Sequence, residues 1–251
     1  MPLITSFTDS FFAGKRPSGY NTGTVTLAGL VSYIDMTNPA SYAGVGTTAT
    51  DLSGNGINSA LVGNPIYSTS SHGTILLDGI RQYIITQSLL SKFRPGNGTV
   101  TVDIWLRPTD TGVVLNEQGS VTSPTWYDSQ VEIVGSHLRM GMWNGRNIVS
   151  MNIGGVNLGS WQNYVMTYDG TTLKGYINGQ LGNSIAVNKV NPWQQGQGYH
   201  YGIMGSTSLS TNLGDGTRLA GNFGLIRIYN VALTAEQVKG NCNATRGRYN
   251  V

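Results

Sequence analysis

The sequence predicts an all-β protein built from antiparallel hairpins, with one short helix near its C-terminus. Glycine makes up 35 of 251 residues and hydrophobic residues 39%, a composition typical of many short strands joined by turns around a sizeable core. Three Asx-Gly pairs stand between apolar segments at hairpin spacing: Asn144-Gly145, Asp169-Gly170 and Asn178-Gly179. Such pairs tolerate the positive φ angles that tight hairpin turns require. Hairpins without helical crossovers favour antiparallel pairing.

Apolar alternation indicates the individual strands. Leu27 to Met36 is the first strand region, and Thr74 to Ile85 alternates around an Asp-Gly turn. Thr99 to Leu106 alternates most regularly. Four apolar residues then share one face of this strand: Val100, Val102, Ile104 and Leu106. Pro108 ends it because proline has no N–H to donate to a β-ladder, and Gly224 to Tyr229 forms the last strand.

A single helix follows the last strand. Thr234 is a suitable N-cap residue, and Gln237 three positions later completes a capping box. Leu233 and Val238 flank this pair at the spacing of a hydrophobic staple. The pattern therefore predicts a short helix that begins directly after Thr234.

Several short motifs connect these elements to a known family. They are Asp51-Leu52-Ser53-Gly54-Asn55-Gly56, Leu77-Asp78-Gly79, Trp105-Leu106-Arg107-Pro108, Tyr168-Asp169-Gly170, Tyr176-Ile177-Asn178-Gly179 and Ile226-Arg227-Ile228-Tyr229-Asn230. From about Leu27 to the C-terminus, their order and spacing resemble the laminin G-like, concanavalin A-like jelly-roll family. The resemblance implies a jelly-roll sandwich of two antiparallel sheets with a short C-terminal helix. It does not assign a function, because this fold hosts lectins, hydrolases and structural modules.

The chain divides into an N-terminal arm, residues 1–26, and a laminin G-like jelly-roll domain, residues 27–251. The arm has no clear hydrophobic period, and its aromatic residues stand among polar residues and glycines. We interpret four of them as anchors of an extended arm: Phe7, Phe11, Phe12 and Tyr20. The alternative is that this segment forms a first strand of the main sheet.

Charge and cysteine content argue against several classes of protein. The formal net charge is +3 and the basic residues are scattered, whereas nucleic-acid binders concentrate positive charge on one face. Cys242 is the only cysteine, so an intramolecular disulfide is impossible, which fits folding in a reducing cytosol. The N-terminus resembles no signal peptide, and no segment approaches the roughly 18 apolar residues of a membrane span. We therefore expect no nucleic-acid or membrane partner.

The acidic residues do not support catalysis by paired carboxylates. Glycoside hydrolysis needs two carboxylates that flank the scissile bond, and the chain has only three glutamates. Asp128 and Glu132 are the nearest pair, four residues apart with no third acid, and we expect Glu132 to face solvent. Three histidines lie far apart without metal-ligand spacing: His72, His137 and His200. The sequence therefore predicts a non-enzymatic protein, with a glycoside hydrolase as the disfavoured alternative.

Calcium is the metal that the sequence best accommodates. Asp51 and Asn55 lie in one glycine-rich loop and Asp78 begins a turn, and hard oxygen donors in turns suit Ca²⁺. The resemblance implies that related modules bind Ca²⁺ along one edge, but Gln82 stands where many relatives carry an acid. The alternative, which we favour, is that Asp51 and Asn55 form Asx turns through their own side chains.

Two groups of aromatic residues form the most plausible ligand surface. Lectin sites stack an aromatic ring on the sugar and add a few amide or carboxylate hydrogen bonds. The candidates, which we expect in loops, are Trp126, Tyr127, Trp193, Tyr199 and Tyr201. The alternative is that they pack under a long loop or at a subunit contact. Trp105 and Trp161 lie in or beside strands and are predicted to be core residues.

These observations lead to the hypothesis of a non-enzymatic protein on the surface of a bacteriophage particle. The tail from Asn243 to Tyr249 resembles endings of laminin G-like proteins of bacterial viruses. A capsid decoration or accessory role, anchored by the arm, is preferred over a tail fibre because the chain has no coiled-coil heptads or β-helical repeats. We expect synthesis in the host cytoplasm, and assembly with capsid or tail subunits. The alternative is a tail-associated adhesin or lectin that binds host surface polysaccharide.

Overall fold

A computed structural model describes residues 23–89, 92, 98–118, 126–189, 200–205 and 217–251, with backbone only at 71, 118 and 126–130. The strands of these ranges form two antiparallel sheets that pack face to face, which we call the back sheet and the front sheet. One α-helix lies near the C-terminus. The predicted all-β jelly-roll sandwich is therefore confirmed.

The back sheet has eight strands in the described ranges. Seven follow one path across the sheet: β14 (Gln180–Ala186), β13 (Thr172–Ile177), β12 (Gln162–Tyr168), β7 (Val100–Pro108), β16 (Ala220–Tyr229), β5 (Thr74–Asp78) and β4 (Ile66–Ser68). The eighth, β1 (Leu30–Asp35), pairs with the second half of β16. The sheet therefore has edges at β14, β1 and β4.

The front sheet also has eight strands in the described part of the chain. Their order is β11 (Ile148–Gly155), β10 (His137–Trp143), β9 (Trp126–Val134), β8 (Gly112–Gln118), β15 (His200–Ile203), β6 (Tyr83–Thr86), β3 (Ser59–Val62) and β2 (Thr48–Ala49). The chain passes from the back sheet to the front sheet at the Asp78-Gly79 turn, so the alternating segment Thr74 to Ile85 is divided between the two sheets.

The three predicted Asx-Gly hairpins are confirmed. They join β10 to β11, β12 to β13 and β13 to β14 in antiparallel pairs. The glycines take positive φ angles of 100° at Gly145, 98° at Gly170 and 76° at Gly179. Asn178 also has a positive φ, so this turn needs a residue pair that tolerates the left-handed region.

The main core lies between the sheets. As predicted, Val100, Val102, Ile104 and Leu106 all point into it from β7. The opposite face of β7 is buried as well, because the C-terminal segment covers it. Trp105 and Trp161 pack there with Leu225, Cys242 and Tyr249, which confirms both tryptophans as core residues.

The covering segment is helix α1 (Ala235–Thr245) followed by a 3₁₀ turn, Arg246–Tyr249. The predicted capping box is present: the Thr234 hydroxyl accepts from the Gln237 amide at 3.3 Å, and the Gln237 side chain accepts from the Thr234 amide at 2.9 Å. Val238 of the helix packs on Val165 and Tyr176 of the back sheet. The protein is thus a three-layer structure of helix, back sheet and front sheet.

The first described residues, from Gly23 to Thr26, lie along α1. The backbone amide of Thr26 donates to the Asn241 side chain at 2.8 Å, and a side chain at Gly23 would collide with the Gly240 carbonyl. The predicted anchors Phe7, Phe11, Phe12 and Tyr20 lie outside the described residues, so the arm remains a prediction. Within the described ranges, no helix has the length and apolar character needed to cross a membrane.

Candidate functional site

The outer face of the front sheet carries a cluster of polar side chains. Residues on β9, β10 and β11 alternate between the core and this face, and the core positions include Val131, Met140 and Met151. The alternate positions therefore point outward. Five residues of this outer face, which we call the front face, are Glu132, Arg139, Trp143, Ser150 and Asn152.

Strand register brings these side chains together. Arg139 lies directly opposite Glu132 on β9 and opposite Asn152 on β11. Its guanidinium Nη2 lies 3.5 Å from the Ser150 hydroxyl. Directly opposed residues of antiparallel strands have Cβ atoms about 5 Å apart, so an acid, a base and two polar side chains share one small area.

The front face differs in accessibility from strand to strand. Glu132 is completely buried, so the expectation that it faces solvent is wrong. Val113 of β8 and Arg139 of β10 lie directly opposite it on the two neighbouring strands. Arg139, Trp143 and Ser150 are half-buried and Asn152 is exposed. The accessible part of the face therefore lies on β10 and β11, with Glu132 beside it.

The predicted aromatic site is only partly within the described residues. Trp126 and Tyr127 are the first residues of β9 rather than loop residues, because pairing of β8 with β9 extends to Gln118 and Trp126. Gln118 is also paired with His200 of β15. Strand pairing thus places Trp126 and His200 on either side of β8, while Trp193 and Tyr199 lie outside the described ranges.

Tyr201 cannot serve as a sugar-stacking residue. It was expected in a loop, but it lies on β15 and is fully buried in the main core. The reason is strand alternation, since Ile203 two positions later also points into the core. The Tyr201 amide donates to the Thr86 hydroxyl at 2.9 Å, which ties β15 to β6.

Asp51 and Asn55 organise their loop through hydrogen bonds to protein groups. One Asp51 oxygen accepts from the Tyr33 amide at 2.8 Å and the other from the Ile57 amide at 3.1 Å. Asn55 donates to the carbonyls of Leu30 and Val31 at 3.1 Å. Asp51 also accepts from the amide two residues on, as in an Asx turn. These bonds confirm the side-chain turn role for Asp51 and tie the loop to the edge of β1.

Asp78 lies in a separate turn between β5 and β6. Slight burial acts to raise the pKa of its carboxyl, but backbone amides of Ile80, Arg81 and Gln82 outweigh this and hold the pKa below its usual value. The Gln82 side chain accepts from the Asp78 amide and donates to the Gly63 and Asn64 carbonyls, so it joins two turns. Among the described residues, no three His, Cys, Asp or Glu side chains are grouped to hold a metal.

Asp128 and Glu132, the nearest acidic pair, both lie on β9. The structure describes only the backbone of Asp128, and the Glu132 side chain is completely buried. Glycoside hydrolysis needs two carboxylates at the scissile bond, and a completely buried Glu132 has no surface that a ligand could contact in this structure. The histidines are also dispersed: His137 begins β10, and His200 on β15 has its Nδ1 2.7 Å from the Thr86 carbonyl oxygen.

Sequence reasoning overlooked the accessible front-face residues. Arg139 and Trp143 occur in the segment HLRMGMW, where Leu138, Met140 and Met142 are the core positions. The apolar alternation of this segment was the signal, since it places Arg139 and Trp143 together on the opposite face.

Comparison with known proteins agrees with this architecture. A family model described as the concanavalin A-like lectin/glucanases superfamily matches residues 78–239, more than half of the chain. The protein therefore belongs to this family. No curated protein sequence matches the chain significantly.

Three solved structures illustrate the fold likeness. The binding domain of paraclostridial mosquitocidal protein 1 has a TM-score of 0.63 and 16% identity, covering 86% of this chain and 52% of its own. Domain 4 of an extracellular arabinanase from Geobacillus stearothermophilus, in complex with arabinotriose, has a TM-score of 0.60 and 16% identity. The match covers 86% of this chain and 98% of the arabinanase domain. Trypanosoma rangeli sialidase in complex with a difluorinated nononic acid has a TM-score of 0.64 and 15% identity. The match covers 90% of this chain and 34% of the sialidase. The chain thus spans about half of the toxin binding domain and a third of the sialidase.

Proposed function

We propose that this protein is a non-catalytic carbohydrate-binding module whose ligand lies on the accessible part of the front face. The observation that carries the proposal is the grouping of Arg139, Trp143 and Ser150 on adjacent strands. Arg139 and Trp143 are four residues apart on β10, which is about 13 Å along a strand. The indole ring can therefore stack on one sugar, while the guanidinium and the Ser150 hydroxyl bond oxygens of another sugar of the same oligosaccharide. Glu132 lies directly opposite Arg139 on the neighbouring strand.

The family and its structural neighbours support a binding role over a catalytic one. Toxin binding domains and an arabinotriose-bound domain of a glycosidase share the fold. The complete burial of Glu132 adds a geometric reason, since a glycosidase needs two carboxylates that contact the scissile bond.

A glycan screen with the full-length protein tests the binding role. Arabinotriose and a panel of bacterial surface polysaccharides serve as probes, and reducing-end release is measured in parallel. We expect saturable binding to at least one polysaccharide without hydrolysis. Folded protein that binds no probe would contradict the proposal, and hydrolysis would replace it with an enzymatic role.

We further propose that the module is displayed on a bacteriophage particle, as a capsid decoration or accessory protein anchored by its arm. The position of Gly23 supports this arrangement, because Gly23 lies against α1, on the side of the back sheet that faces away from the front sheet. The front face lies on the opposite side of the sandwich. An arm that precedes Gly23 on this side can bind capsid subunits without covering the front face.

The particle proposal has its own test. A cryo-EM map of the assembly would place residues 1–26 against capsid subunits with the front face outward, and deletion of residues 1–20 would prevent incorporation. Location at a tail tip would favour the adhesin alternative. Normal incorporation of the deletion variant would exclude the anchoring role of the arm.

A further inference from the structure

Most edges of the back sheet are covered by other parts of the chain. At β14, the Asn183 side chain donates to the Asn152 carbonyl of β11 at 2.9 Å, which closes that side of the sandwich. At β1, the loop from Asp51 to Asn55 bonds backbone groups of Tyr33 and Val31. Such coverage prevents an exposed edge from pairing with another chain.

Strand β4 is the exception within the described residues. It pairs with β5 on one side, with Ile66 opposite Leu76 and Ser68 opposite Thr74. On its other side, the described part of the chain supplies no backbone partner to Ile66, Tyr67 or Ser68. In an antiparallel pair, alternate residues direct their N–H and C=O groups away from the partner, so β4 presents backbone groups outward.

The side chains beside this edge are apolar and exposed. Ile66 is 63% exposed and its cross-strand neighbour Leu76 is 41% exposed, so the two form an apolar pair on the outer face. Tyr67 points the other way, against the ring of Tyr42 at 5.6 Å between centroids. The adjoining loop adds Val45, which is also exposed.

Strand β4 and the segment around it in sequence carry little charge, although Asp78 at the end of β5 and Arg81 in the next turn lie near its start. Between Asp35 and Asp78 the only Asp, Glu, Lys or Arg residue is Asp51, and its carboxylate is held inside its own loop. Natural edge strands are commonly protected by charged residues, above all lysine. The β4 strands of two copies can therefore meet without repulsion between charged side chains of the strands themselves.

We propose that β4 is a self-association surface, on which a second copy of this chain adds its own β4 in antiparallel register. Two identical edges related by a twofold axis form an isologous contact and join two back sheets into one. Ile66 and Leu76 of both copies would then lie in one apolar strip across the junction. Because β4 has only three residues, the dimer is expected to dissociate on dilution.

Sedimentation velocity on the full-length protein over a wide concentration range tests this proposal. We expect a reversible monomer–dimer equilibrium that Ile66→Lys shifts to monomer, because lysine places a charge at the centre of the contact. The matched control is Leu181→Lys, which changes a 53% exposed leucine on β14, the covered edge. This control is expected to dimerise as the unmodified protein does.

Hydrogen exchange of the β4 amides provides a second measurement. We expect protection at Ile66 to Ser68 that rises with protein concentration and is lost in Ile66→Lys. A protein that stays monomeric at every concentration overturns the proposal, as does a dimer that Ile66→Lys leaves intact. Concentration-independent protection of these amides also overturns it, and would indicate that the arm of the same chain covers the edge.

Discussion

Asp103 and Arg227 form an ion pair of 3.2 Å that is completely enclosed between the back sheet and helix α1. The strands that carry them are adjacent, and the two residues lie directly opposite each other. Asn163 donates to one Asp103 oxygen at 2.7 Å and Asn241 of the helix donates to the other at 3.2 Å. The pair therefore connects the sheet to the segment that covers it.

Removal of one partner is expected to destabilise the protein strongly. Asp103→Ala leaves the Arg227 guanidinium buried without its counter-charge, which costs about 3–5 kcal/mol for a buried pair. The double variant Asp103→Leu/Arg227→Met is expected to recover much of that loss, because it removes both charges and refills the volume. Urea unfolding measures the free energy of unfolding of the single and the double variant. Equal instability of the single and double variants would contradict an electrostatic origin.

Tyr249 is expected to act through its ring and not its hydroxyl. The ring lies between Trp105 and Trp161, with centroid distances of 4.6 and 4.5 Å. Truncation to alanine should cost about 3–5 kcal/mol, as for other large core aromatics. The buried hydroxyl has no partner among the described residues, so Tyr249→Phe should leave stability unchanged or raise it. A clear loss of stability in the phenylalanine variant, again by urea unfolding, would indicate a hydrogen bond to the hydroxyl.

Alkaline pH is expected to destabilise the fold through two buried groups between α1 and the back sheet, the Cys242 thiol and the Tyr229 hydroxyl. Burial, reinforced by Asp103, raises the pKa of Cys242 from 9.0 to about 12, and burial raises the pKa of Tyr229 from 10.0 to about 12. The folded protein thus keeps both groups protonated to a higher pH than the unfolded chain does. The free energy of unfolding that these two raised pKa values contribute is fully present below about pH 9 and is lost as the pH rises toward 12.

Unfolding free energies at about pH 8 and about pH 11 measure this effect. Cys242→Ser removes one titrating group, so its stability should fall less between the two pH values than that of the unmodified protein. The native thiol should also resist a thiol reagent until the protein unfolds, because a buried protonated cysteine is unreactive. Rapid labelling under native conditions would mean that α1 opens readily.

The sequence predicted those features that depend on local pattern. The hairpin turns, the helix start at Thr234 and the inward face of β7 follow from neighbouring residues. The burial of Tyr201 and Glu132 does not, because it depends on which strands β15 and β9 pair with. The front face was missed although the predicted Asn144-Gly145 hairpin joins β10 to β11 and the alternation of HLRMGMW points Arg139 outward. Neither pattern shows that β9 places Glu132 beside Arg139.

Asp51 is expected to stabilise the protein without calcium. Its carboxylate accepts from the Tyr33, Ser53 and Ile57 amides, so Asp51→Ala leaves several donors unsatisfied and should cost about 1–3 kcal/mol. Thermal melts with added calcium and with a chelator should coincide for the unmodified protein. A melting temperature that rises with calcium, and no longer does so in Asp51→Ala, would instead identify Asp51 as a ligand.

Glycan affinity is expected to depend on Trp143 and Arg139. Replacement of either by alanine removes a stacking surface or a charged donor, and a loss of about tenfold corresponds to ~1.4 kcal/mol of binding free energy. Trp143 is half-buried on a solvent-facing sheet surface, so its replacement should change thermal stability little. Arg139 lies opposite the buried Glu132 carboxylate, so Arg139→Ala is expected to lower thermal stability as well, and its affinity is measured at a temperature where the variant is folded. Arg81→Ala, an exposed arginine in the β5–β6 turn, is the matched control and should bind normally. Calorimetric titration with the polysaccharide identified by screening measures the binding affinity of the Trp143, Arg139 and Arg81 variants. If the Trp143 and Arg139 variants bind as tightly as the control, the ligand is held elsewhere, and the strand ends at Trp126 and His200 become the site to test.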